Sequence, residues 1–111
     1  MKTSKIVVAV LTLSVLLFIL APNTAWAAED GATLFKTRCA PCHGADAMGK
    51  PAVKAPSLVG DDAKKKTDDE LTDMVANGGK DKKATHAFSK KGLTSDQIKS
   101  LVSYIRDLQK K

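Results

Sequence analysis

Apolar positions along this 111-residue chain fall into one continuous run and several helical stripes, without the alternation of a half-buried strand. The continuous run is Ile6 to Ala21, broken only by Thr12 and Ser14. Further on, Leu34 and Phe35 form the apolar side of a short helix expected over Glu29 to Arg38. Two later helices carry their own start signals. Thr67-Asp68-Asp69-Glu70 reads as a capping box, in which the threonine accepts from a backbone N–H and the glutamate reaches back. Leu71, Met74 and Val75 follow on one face, and Asn77-Gly78-Gly79 stops the helix. Thr94-Ser95-Asp96-Gln97 is a second box, opening a stripe of Ile98, Leu101, Val102, Ile105 and Leu108 that ends in Lys110-Lys111. The pattern predicts an all-α fold.

The continuous run has a different destination. Lys2 and Lys5 precede it, and Ala25-Trp26-Ala27 closes it with the small-x-small pattern of a cleavage site. Charged start, apolar middle and that ending describe a secretory signal peptide over residues 1–27. A retained membrane anchor is the alternative, but the run falls short of the roughly 20 residues that a spanning helix needs. Removal leaves residues 28–111 as a single small domain, expected to be an exported, periplasmic monomer. With only Phe35, Phe88 and Tyr104 as aromatics, such a domain needs a staple or a bulky apolar cofactor to complete its core.

Charge adds a possible partner surface. The formal +6 loses two charges with Lys2 and Lys5, and the remaining lysines cluster at 64–66, 80–83 and 90–91. Lysines on loops are ordinarily solvated; they also suit docking to an acidic protein surface. An exported chain with few aromatics is a poor candidate for binding nucleic acid.

The chemistry concentrates in Cys39-Ala40-Pro41-Cys42-His43. Two cysteines three apart, followed at once by histidine, form the attachment pattern of c-type haem. The cysteines add as thioethers to the two porphyrin vinyl groups, and the histidine is thereby placed at the iron as proximal ligand. A thioredoxin-like pair would need a strand feeding a helix, a zinc site a second ligand pair, and a structural disulfide would not call for the histidine. Haem attachment is the reading that uses all three residues.

With that motif in place, the chain from Ala28 onward resembles the small class I cytochromes c, monohaem proteins whose three to five short helices wrap one covalent haem. Gly31 and Phe35 are similar to the glycine and aromatic of the family's first helix, and Leu101 and Tyr104 to their partners on its last helix. The resemblance implies that Ala55-Pro56-Ser57-Leu58 is the loop whose proline carbonyl accepts the proximal histidine's Nδ1–H, fixing its tautomer. It also implies that Leu58 packs on the haem and that Phe88 contributes to its pocket.

One position departs from the family. Where small members read Met-Pro-Ala-Phe, the methionine being the distal ligand, this chain has Thr85-His86-Ala87-Phe88. His86 is the expected sixth ligand, being the one imidazole left after His43. Met74, Met48, a lysine or an open position stay as alternatives. Two imidazoles would give a lower potential than methionine–histidine ligation.

The function implied is one-electron transfer between redox proteins, either membrane respiratory complexes or periplasmic dehydrogenases. No nucleophile with its base and no acid–base pair argues for an enzyme. A haem-based sensor would require the open position, a peroxidase would require distal polar groups, and a small subunit of a larger oxidoreductase would look the same in sequence.

Overall fold

The computed structural model describes residues 30–111, so the signal segment expected over residues 1–27 lies outside the described residues. Every named element among them is helical, and the nearest approach to a sheet is one isolated bridge between Lys50 and Ala55. None of their helices is long and apolar enough to cross a membrane.

The first helical stretch begins later and runs further than its apolar pattern predicts. Helix α1 (Gly31–Leu34) passes through a π-helical turn (Phe35–Cys39) into α2 (Ala40–His43), so the Cys-Ala-Pro-Cys-His motif is itself helical. Asp30 sets the start, its carboxylate accepting from the Thr33 N–H at 2.8 Å. The wider turn has a local cause. Pro41 has no N–H to offer the α-ladder, and its ring crowds the carbonyl four residues back. Ala40 N–H bonds to Phe35 O, five residues back, just ahead of that proline.

After the motif the chain makes a long excursion through a 3₁₀ turn (Pro51–Val53) and the short helix α3 (Asp61–Lys64). Helices α4 (Asp68–Asn77) and α5 (Ser95–Gln109) then start at the two expected capping boxes. In the first box the paired bonds are 2.8 and 3.1 Å, and in the second 2.9 and 3.2 Å. Gly78 ends α4 at φ +88°, a left-handed conformation that glycine adopts without steric cost.

The core lies where α1 and the π turn meet α5. Leu34, Phe35 and Leu101 are fully buried, with Ile98 and Ile105 beside them. Burying a side chain of this size contributes about 1.5–3 kcal/mol relative to leaving it in water. The crossing is close because Gly31 lacks a side chain: a β-carbon there would lie 2.6 Å from the carbonyl carbon of Ser100. One turn on, Phe35 and Tyr104 pair at 5.4 Å between ring centroids, tilted by 55°. The expected helix partners therefore meet, with Ser100 taking the place against Gly31. Leu71 is buried on α4, whereas Met74 and Val75 are half-buried.

Candidate functional site

The crossing of α1 and α5 leaves His43 at the C-terminal end of α2, buried at 7% exposure. Its Nδ1 lies 2.9 Å from the carbonyl oxygen of Pro56. A carbonyl only accepts, so Nδ1 carries the proton, and in the neutral ring the lone pair falls to Nε2. The loop that brings Pro56 to this place is tied at several points. Gly49 N–H donates to His43 O at 2.7 Å, Leu58 N–H to Ala47 O at 2.8 Å, and Lys50 and Ala55 exchange bonds across the bridge. Gly49, at φ +88°, permits the fold-back, since a β-carbon there would come within 2.6 Å of Ala55 O. Leu58 is half-buried against the core, and Pro56 itself is exposed.

Cys39 ends the π turn and is buried, whereas Cys42 on α2 is exposed. Burial, assisted by the neighbouring Cys42, pushes the Cys39 thiol up to about 11, so it stays protonated at neutral pH.

The segment from Gly78 to Phe88 brings the second histidine to the first. A β-carbon on Gly78 would lie 2.9 Å from the Lys82 carbonyl carbon, so this glycine serves both the helix stop and the return of the chain. The His86 and Ala87 N–H groups both donate to Lys83 O, at 3.0 and 3.3 Å, in a tight turn. Lys91 closes the loop from the far side, donating from Nζ to Thr85 O at 2.9 Å while lying over the Phe88 ring. His86 is half-buried there, with its ring centroid 5.9 Å from that of His43 and the two planes 23° apart. Burial first, then His43, Lys83 and Lys91, lower its pKa and favour the neutral ring with a free lone pair.

The other candidates at the sixth position sit differently. Met48 is 63% exposed on the loop after the motif. The Met74 side chain lies against the end of its own helix, its Cγ 3.1 Å from where a β-carbon on Gly79 would be. Phe88 is buried in the core beside Leu93 and Ile98.

The comparison that decides the family matches residues 27–105 to the family described as Cytochrome C oxidase, cbb3-type, subunit III. The chain belongs to this family. It is thus a monohaem c-type cytochrome domain, with haem-based electron transfer as its family chemistry. No curated protein matches the chain.

The donor set of the cytochrome domain suits a haem. Two imidazoles holding one metal at metal–nitrogen distances of about 2 Å need ring centroids about 6 Å apart, close to the 5.9 Å between His43 and His86. One nitrogen of His43 is already engaged by Pro56, and the thiols of Cys39 and Cys42 belong to the turns leading into it.

Two contacts, the Asp30 cap of α1 and the Lys91–Thr85 bond, lie outside the sequence expectations. Asp30 as helix cap was legible in principle, being an acidic residue three positions ahead of Thr33. The Lys91–Thr85 bond was not, because a lysine on a basic loop gives no sign of where its ammonium goes.

Proposed function

We propose that this cytochrome domain is a one-electron carrier whose haem c is attached through Cys39 and Cys42 and ligated by His43 and His86. The observation that carries the reading is the ring separation of 5.9 Å between the two histidines. A bound haem c supplies a one-electron Fe(III)/Fe(II) couple at neutral pH. His43 would supply one nitrogen ligand to the iron, and Pro56, by accepting its Nδ1–H, keeps the ring in one tautomer and strengthens it as a donor. His86 would supply the second nitrogen ligand, and Leu58 and Phe88 would help to exclude water from the bound group. A second imidazole in place of a thioether favours Fe(III) and lowers the potential relative to methionine-ligated cytochromes.

The visible and near-infrared spectra of the oxidised holoprotein test the ligand pair. A low-spin ferric spectrum without a far-red methionine-to-iron band is expected, and His86→Ala should become high-spin and bind carbon monoxide rapidly once reduced. A methionine band or a high-spin wild type would overturn the assignment, the latter in favour of a ligand-binding haem protein.

The partners proposed are respiratory membrane complexes, in keeping with the oxidase-subunit description of the family. Docking would use the exposed Lys80, Lys82, Lys83, Lys90 and Lys91, which surround the loop of His86. Such an encounter is steered by charge and slows as salt rises; electron-transfer rates indifferent to ionic strength would remove it. Export to the periplasm, with residues 1–27 removed, completes the proposal, and a mature N-terminus other than Ala28 would count against that boundary.

A further inference from the structure

The last turn of α5 reaches back to the loop that orients His43. Gln109 Nε2 donates to Leu58 O at 2.8 Å, across 51 positions of sequence. Its side chain is itself held: the amide oxygen accepts from Arg106 Nη1 at 2.8 Å. The remaining guanidinium donors of Arg106 fasten that arginine to the start of α4. Nε meets Asp68 Oδ1 at 2.7 Å and Nη2 meets Lys66 O at 2.5 Å. Arg106 and Gln109 are both partly buried, which shields these bonds from the competition of bulk water.

From this chain of contacts we infer that Gln109, set by Arg106, is a positioning residue for the proximal ligand. Leu58 is two residues from Pro56, and its two backbone groups are gripped from opposite directions. Its N–H bonds to Ala47 O at 2.8 Å and its carbonyl takes the Gln109 amide. Between those grips and the His43 O–Gly49 N bond, the Pro56 carbonyl has little freedom to leave His43 Nδ1. The strength of the Nδ1–H bond sets how strongly an imidazole donates to a metal. Gln109 thus acts on His43 through Leu58 and Pro56, from the last turn of α5. The inference rests on His43 being the proximal ligand, as proposed above.

The Arg106–Gln109 geometry supplies a test that separates positioning from mere stability. Gln109→Glu keeps the volume and strengthens the contact with Arg106, but it has no N–H to give Leu58 O and repels that carbonyl. Gln109→Leu removes both contacts. The readouts on the holoprotein are the reduction potential and the exchange of the His43 Nδ1 proton followed by nuclear magnetic resonance in the reduced state. For a positioning role, both variants exchange that proton about fivefold faster, the factor expected of one weakened hydrogen bond, and Gln109→Leu, which adds no charge, raises the potential. Melting temperature should fall further for Gln109→Leu, because Gln109→Glu keeps the contact with Arg106. If Gln109→Glu leaves the proton exchange at its wild-type rate and Gln109→Leu leaves the potential unchanged, the inference is wrong and Gln109 only secures the helix. If the wild type itself shows no His43 Nδ1 proton shifted by haem, the ligand assignment falls, and the inference falls with it.

Discussion

Lys91 and Thr85 are joined across the loop that carries His86, the ammonium donating to the threonine carbonyl at 2.9 Å. The same ammonium lies 5.0 Å from the centroid of the Phe88 ring, so one side chain spans both flanks of the histidine. Lys91→Met keeps the apolar stem and removes the charge. The loop should loosen without the core noticing, because Lys91 itself is exposed. The expected outcome is carbon monoxide binding to the reduced holoprotein about threefold to tenfold faster than wild type, the factor set by the net contribution of one ordinary hydrogen bond, since solvent exposure weakens the charge-assisted one. The melting temperature should change little. An unchanged rate in stopped-flow mixing would show that Lys91 does not restrain His86.

Gly31 and Ser100 set the distance between the first and last helices. A methyl group at position 31 would lie 2.6 Å from the Ser100 carbonyl carbon and 3.1 Å from Tyr104 Cβ, and a helix backbone cannot yield locally as a flexible side chain does. Gly31→Ala should therefore destabilise the domain by roughly 2–3 kcal/mol, the ordinary cost of overpacking, although alanine is the better helix former. Urea unfolding of the variant measures it. A gain in stability would mean that the helices separate at no cost.

Acid should weaken the fold through its helix starts. The backbone N–H of Thr33 lowers the pKa of Asp30 from 3.8, and that of Thr67 lowers the pKa of Glu70 from 4.5, with Lys66 and Lys80 adding to the latter. Each carboxylate is a weaker base folded than unfolded, so the unfolded chain binds more protons in this range. The stabilisation is complete above the unfolded values and is lost as pH falls through the lowered folded ones. Both groups are exposed, so the effect is modest and declines with salt. In denaturant titrations from about pH 6 down to about pH 3, a range that spans the ordinary carboxylate values, Asp30→Asn with Glu70→Gln should lose less stability than wild type. An identical acid limb would exclude these two carboxylates as its source.

Elements whose instructions lie within one turn of chain were legible from sequence. Thr67 with Glu70, and Thr94 with Gln97, are three residues apart, and both boxes close as their spacing implies. Gly78 likewise stops α4 by its own backbone freedom. The first helix departs from its apolar pattern. Its apolar pattern stopped at Arg38, yet the stretch continues to His43, because a π turn accommodates Pro41 instead of ending there. The resemblance to class I cytochromes c anticipated the pairing of Phe35 with Tyr104 and of His43 with Pro56, contacts which local spacing could not have supplied.

By itself, then, the sequence determined the helical class, the two capped helices and a Cys-x-x-Cys-His motif whose chemistry points to haem. Those properties depend on residues three or four positions apart, where covalent geometry already limits the distances available. Only the tertiary structure decided that His86 comes within 5.9 Å of His43 between ring centroids, and that Gln109 holds the carbonyl of Leu58. Such contacts join residues 43 and 51 positions apart. Their distances follow from how α1 and α5 cross at Gly31 and how the loops return around that crossing, and the packing of the whole core sets both.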